Sequence, residues 1–306
     1  VNLDQAPFVR RFWAYLAERF PPAAYGLLVA LFFGSAALVA RDTGGGTSIF
    51  WPGAVVVLGV FFHLRVFDEH KDHDADVAAY PDRVLSRGWV TLKQLRGAAA
   101  VALVVQLGLS LWAGPRALAV WGATVVFTLL MLKEFFVGAW LERRMVLYAI
   151  THNPVVAGLA LFGWACTDAA WDWRFAWYVG AASLGSLAFE IGRKMRLPDE
   201  EVAGVPSYTS VLGRGRALAL LWTVSLGTGL CLVGVLRSAS GRLAQGWNAA
   251  LPDLLGLDAL GAVALAVVAL LPIGLARSGS KAKMVEGGAT GVLFVTLLLA
   301  GVFAWP

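Results

Sequence analysis

The 306-residue chain is 58% hydrophobic and only 15% charged, with a mean hydropathy of +0.70. Soluble domains carry about 25% charged residues, so an ordinary soluble fold is excluded although the length would suit two such domains. The net charge of +5 does not indicate nucleic acid, because the basic residues are dispersed between apolar stretches rather than gathered in one patch. Thirteen Trp and 34 Gly fit a membrane protein, with Trp at interfaces and Gly within helices. Cys166 and Cys231 lie far apart in apolar runs and read as packing residues, not as a disulfide or metal motif.

At the N-terminus Phe8, Phe12 and Leu16 recur at helical spacing, with Val9, Trp13 and Phe20 beside them and Pro7 at the start. Residues 1–22 therefore read as an amphipathic helix in the membrane interface rather than a secretory leader. Nine apolar stretches follow, roughly 23–40, 49–64, 97–114, 117–132, 145–166, 175–189, 217–236, 259–276 and 287–306. A bilayer core of about 30 Å needs about 20 apolar residues as a helix. The runs lack the period-2 alternation of barrel strands. The predicted fold is all-α: a single membrane domain over 1–306, a polytopic bundle of nine transmembrane helices.

Lys and Arg fall 20 to 5 on alternate sides of these spans. That bias puts the N-terminus in the cytoplasm and the C-terminus outside. The two longest loops, 65–96 and 190–216, are then cytoplasmic, and together they hold half of all the acidic residues. The protein is expected in a membrane, the inner (cell) membrane if prokaryotic, with its active site facing the cytoplasm.

The first loop opens Arg65-Val-Phe-Asp68-Glu69-His70-Lys71-Asp72-His73-Asp74-Ala75-Asp76. If the second span continues as a helix through it, Arg65, Asp68, Glu69, Asp72 and Asp76 share one face within about 100° of arc, while Lys71 and Asp74 point elsewhere. Like charges at i,i+4 destabilise a helix, so this face calls for a counter-charge. Mg²⁺ is a hard cation that takes a few carboxylates plus substrate phosphates. The competing readings are a solvated charged loop, or a transition-metal site on His70 and His73 with His63.

These residues resemble the UbiA superfamily of intramembrane prenyltransferases. Its first signature is Asn or Asp, then Asp, two residues, Asp, three residues, Asp. Asp68-Glu69-x-x-Asp72-x-x-x-Asp76 follows it with Glu in second place. Tyr80-Pro81-Asp82-Arg83-Val84-Leu85-Ser86-Arg87-Gly88 matches the basic, Pro-containing turn that comes next, and Thr91 with Gln94 makes a capping box for the third span. The family's second motif, Asp-x-x-x-Asp, corresponds to Glu190-Ile191-Gly192-Arg193-Lys194, where a cation replaces the second carboxylate. Trp140-x-x-x-Arg144 keeps the spacing of the family's Tyr-x-x-x-Lys. His152-Asn153-Pro154 interrupts the fifth span, as a kink or as a substrate contact.

The resemblance implies Mg²⁺-dependent transfer of a prenyl group from a lipid diphosphate to a small or lipidic acceptor. Asp68, Glu69, Asp72, Asp76 and Glu190 would hold metal, and Asp68, Asp72, Asp76 and Glu190 would carry catalysis. Arg65, Arg83, Arg144, Arg193 and Lys194 would bind diphosphate. The alternatives are terpene cyclisation or phosphoribosyl transfer on the same scaffold, and a cation transporter or lipid-diphosphate-binding protein. Against transport, no repeat of the kind many transporters carry is seen.

Overall fold

The computed structural model describes residues 3–42, 50–201, 205–246 and 297. Its elements are helices: α1 (Phe8–Arg19), α2 (Pro22–Asp42), α3 (Phe50–Lys71), α4 (His73–Ala79), α5 (Leu92–Ala113), α6 (Pro115–Leu132), α7 (Gly138–Leu141), α8 (Met145–His152), α9 (Pro154–Ala165), α10 (Trp173–Arg193), α11 (Tyr208–Leu212) and α12 (Arg214–Gly246). Short 3₁₀ turns occur at Glu134–Phe136 and Pro198–Glu200.

Among the described residues six helical stretches are long and apolar enough to cross a membrane: Pro22–Ala40, Trp51–Lys71, Leu92–Ala113, Pro115–Leu132, Met145–Ala165 and Arg214–Val235. They correspond to the expected first to fifth and seventh spans. The expected sixth, 175–189, is helical within α10, where charged Arg174, Glu190 and Arg193 flank the uncharged run. The expected spans 259–276 and 287–306 lie outside the described residues. The fifth span is α8 and α9 end to end. The ring of Pro154 has no N–H for the helix ladder, so the helix restarts there.

Local signals in the sequence account for several boundaries. Thr91 Oγ1 accepts the Gln94 N–H at 3.2 Å while Gln94 Oε1 accepts the Thr91 N–H at 2.9 Å, so the expected capping box starts α5. Asp172 caps α10 by accepting the Arg174 N–H at 2.7 Å. Gly88 ends the basic turn at φ +69°, a left-handed conformation that favours glycine.

The main core is formed by α2, α3, α9, α10 and α12, around Phe33, Val57, Phe162, Phe175, Tyr178 and Leu232. Small residues let the helices approach closely. A Cβ on Gly163 of α9 would collide with Ala36 of α2. A second cluster around Ile191, Met195, Tyr208 and Leu221 seats the loop after α10 against the start of α12. A third, around Tyr15, Val66, Val84, Val90 and Leu95, docks α1 and the turn after α4 on α3 and α5. In α1, Phe12, Tyr15 and Leu16 face this cluster, whereas Phe8, Val9 and Trp13 are exposed.

Candidate functional site

The first acidic motif straddles a helix break. The sequence expectation of one continuous helix needs correction: α3 ends at Lys71, and Asp72 has φ −98°, ψ 8° before α4 begins at His73. The Asp72 N–H still donates to the Asp68 carbonyl at 2.9 Å and the Asp76 N–H to the Asp72 carbonyl at 2.8 Å. The four-residue spacing of Asp68, Asp72 and Asp76 therefore survives the break.

The four carboxylates of the motif are not equivalent. Glu69 is buried, and its Oε1 lies 2.6 Å from Nε of Arg19 at the end of α1. Asp76 Oδ2 accepts Arg19 Nη2 at 3.1 Å and Arg83 Nη1 at 2.8 Å. Arg83 itself lies over the Tyr80 ring at 3.6 Å. Glu69 and Asp76, both expected as metal ligands, are thus occupied by guanidinium groups. Asp68 has only a long contact, 3.8 Å, to Arg65 Nη1, and its side chain is 59% exposed. Asp72 forms no close ion pair among those described and is exposed. Its carboxyl is raised above the ordinary carboxylate range, first by desolvation and then by the negative charges of Asp76, Glu134 and Glu69, against the opposing pull of Lys71.

Beside Asp72, Lys71 turns to the opposite wall. Its Nζ reaches Glu134 Oε1 at 2.5 Å and the Tyr148 hydroxyl. That hydroxyl in turn donates to Glu134 Oε1 at 3.2 Å. The Tyr148 ring stacks on His152 with centroids 4.0 Å apart, and His152 Nδ1 lies 2.8 Å from the Tyr148 carbonyl. Glu134, Phe135 and Phe136, which carry one side of this cluster, all have left-handed φ values, 47°, 53° and 60°. Such angles cost an L-residue about 1–2 kcal/mol each and cluster at functional sites.

Sequence reasoning missed Arg19, Lys71, Glu134 and Tyr148 as parts of this region. Arg19 lies 50 residues from Glu69, and no local spacing joins them. Tyr148 and Lys71 supply an aromatic–cation pair of the type sought at Trp140 and Arg144. Arg144 instead lies over the Trp140 ring at 4.2 Å and donates to the Trp140 carbonyl, on the wall of an open cavity of about 450 Å³ lined by Ala139, Trp140, Arg143 and Arg144.

The second motif closes on itself. Glu190 Oε1 meets Lys194 Nζ at 2.7 Å and Oε2 meets Arg193 Nη2 at 2.7 Å. Burial raises the Glu190 carboxyl, but the Arg193 and Lys194 charges outweigh it and leave it below the usual range. His152 lies within electrostatic range of both Lys71 and Lys194, so the ends of α3 and α10 share one end of the bundle. The histidine-centred site does not form: His63 is fully buried against Thr128 and Gln106, and His70 bonds the Val66 carbonyl.

Among the described residues no three His, Cys, Asp or Glu side chains converge as a ready-made metal site. Mg²⁺ is usually held by one or two carboxylates with the remaining positions left to water and substrate phosphate. The Asp68 and Asp72 pair has the donor chemistry and the unmatched negative charge for it. Glu69, Asp76 and Glu190 are ion-paired with Arg19, with Arg19 and Arg83, and with Arg193 and Lys194 respectively.

By sequence, neither a family nor a curated protein matches the chain. Solved structures do. The chain is similar to one described in a study of the biosynthesis of digeranylgeranylglyceryl phosphate synthase in membranes, with TM-score 0.67 and 16% identity over 96% of this chain and 99% of that one. It is also similar to the apo structure of a UbiA homolog from Aeropyrum pernix K1, with TM-score 0.61 and 16% identity over 90% of this chain and 96% of that one. The helical bundle built around the two motif-bearing loops is the UbiA fold.

Proposed function

We propose that the protein is an intramembrane prenyltransferase that takes a prenyl diphosphate at the cytoplasmic end of its bundle. The observation that carries this reading is the charge pattern at that end. Asp72 forms no close ion pair among those described and Asp68 has only the long contact to Arg65, while Arg83 and Lys71 lie on the same loop and the Arg193–Lys194 end of α10 is at the same end of the bundle. A diphosphate carried on a divalent cation complements both halves. The UbiA fold supports the reading, and the neighbour described for a digeranylgeranylglyceryl phosphate synthase makes a glyceryl phosphate lipid the first acceptor to test.

When bound, Mg²⁺ would neutralise negative charge on the departing diphosphate. The chain's own residues do the rest. Asp68 and Asp72 would hold the cation, and Arg65, Arg83, Arg193 and Lys194 would stabilise the charge that develops on the leaving oxygen. Arg19 holds Glu69 and Asp76 and would keep them from competing for the cation. The apolar helices exclude water from the allylic cation until the acceptor oxygen attacks it, its proton passing to the released diphosphate.

The test is binding of geranylgeranyl thiolodiphosphate to the purified protein with and without Mg²⁺, comparing the wild type with Asp72→Ala. The expected result is Mg²⁺-dependent binding in the wild type and a loss of at least about 100-fold in the variant, which keeps its fold. Wild-type binding that ignores both Mg²⁺ and Asp72 rejects the acidic loop as the diphosphate site. Cation flux in proteoliposomes without lipid diphosphate would instead favour transport.

A further inference from the structure

We infer that the second motif is a metal-free phosphate cradle, so that the site takes one divalent cation, on the first loop, and Lys194 with Arg193 stands in for a second. This rests on the prenyl diphosphate reading above and specifies how that substrate is held.

Three of the four carboxylates of the second loop are already committed. Both oxygens of Glu190 are taken, one by Lys194 Nζ and one by the Arg193 guanidinium, which also reaches Oε2 through Nε at 3.2 Å. Glu201 Oε1 accepts the Ser207 hydroxyl at 2.5 Å and the Thr209 hydroxyl at 3.2 Å. Glu200 Oε2 accepts the Leu197 N–H at 3.1 Å. Asp199 is exposed at the 3₁₀ turn, five residues beyond Lys194. A divalent ion at Glu190 would displace two cations from the carboxylate and then sit beside both.

The same geometry suits a phosphate. The Arg193 and Lys194 side chains are 45% and 38% exposed, so each reaches solvent while paired with Glu190. One carboxylate against two cations leaves a net positive charge. Lys194 is one turn from Glu190 and Arg193 a residue closer, so both swing on flexible stems about a single carboxylate. Arg193 supplies a planar donor fork for phosphate oxygens, and Lys194 supplies a compact point charge. Glu190 is then a placeholder that positions the two cations until the diphosphate arrives, and not a ligand of the metal.

The readout is cation stoichiometry rather than turnover. Mn²⁺, visible by electron paramagnetic resonance, is titrated into wild type saturated with geranylgeranyl thiolodiphosphate. One Mn²⁺ per bound analogue is expected, and two in Lys194→Asp, which restores a carboxylate pair at i,i+4. Glu190→Gln should keep one Mn²⁺ and bind the analogue as tightly as wild type or more so, because it releases the two cations. Lys194→Ala should weaken the analogue at least tenfold with the stoichiometry still one. These last two variants carry the test if Lys194→Asp does not fold. Two Mn²⁺ in wild type, loss of one Mn²⁺ in Glu190→Gln, or full affinity in Lys194→Ala overturns the inference. Absence of analogue binding to wild type with Mn²⁺ overturns the prenyl diphosphate reading itself, and this inference with it.

Discussion

Asp72 is placed where its charge is disfavoured. It stands four residues from both Asp68 and Asp76 on a nearly continuous helical path, and its negative charge repels both. Two like-charge pairs at this spacing cost about 0.5–1 kcal/mol together. Its raised pKa has the matching sign: the penalty is full at neutral pH and disappears as pH falls through the elevated native value. Asp72→Asn is therefore expected to stabilise the protein by about 0.5–1 kcal/mol at pH 7, an advantage that shrinks under acid. Thermal unfolding in detergent at both pH values checks this. Destabilisation at pH 7 would mean that Asp72 is a structural ion-pair partner. The residue types and spacing that single out Asp68 and Asp72 were legible in the sequence. That Glu69 and Asp76 are held by guanidinium groups was not, because Arg19 reaches them only after α1 folds back on α3.

At the scale of elements, periodicity and caps foretold where most described helices lie. The Thr91–Gln94 box and the Pro154 interruption both appear as expected. The left-handed turn Glu134–Phe136 had no such signal, since glycine is the usual mark of positive φ and none of these three residues is glycine. Tertiary contacts hold it. Glu134 is fixed by Lys71 and Tyr148, and a Cβ on Gly138 would collide with its carboxylate. Phe135 packs edge-on to His152 with centroids 5.4 Å apart. Phe136 pays the backbone cost without comparable return, being 77% exposed. Phe136→Gly should therefore stabilise the protein by about 1 kcal/mol, read as a higher denaturation midpoint. Gly138→Ala should do the opposite by pushing Glu134 off Lys71. A destabilised Phe136→Gly would show that its ring has a partner in the surrounding lipid.

For the whole molecule, the bundle fold was readable because lipid allows few alternatives: a chain this apolar must satisfy its backbone as helices. Orientation rests on the alternation of Lys and Arg, which is a property of loops and not of packing. It leads to a prediction that the helix arrangement alone does not make. Asp82 lies in the loop assigned to the cytoplasm, and its side chain is 88% exposed. Asp168 is exposed in the connection between α9 and α10, assigned to the opposite side. Native Cys166 is buried and Cys231 half-buried, so background labelling should be low. With a membrane-impermeant maleimide, Asp168→Cys should react in intact cells or right-side-out vesicles, and Asp82→Cys only after the cytoplasmic face is opened. The reverse pattern would move the acidic loops, and the diphosphate site proposed on them, to the outer surface. Labelling of both from one side would mean that the number of spans between them is even rather than odd. The three expected spans between them, now α5, α6 and α8–α9, would then need to be recounted.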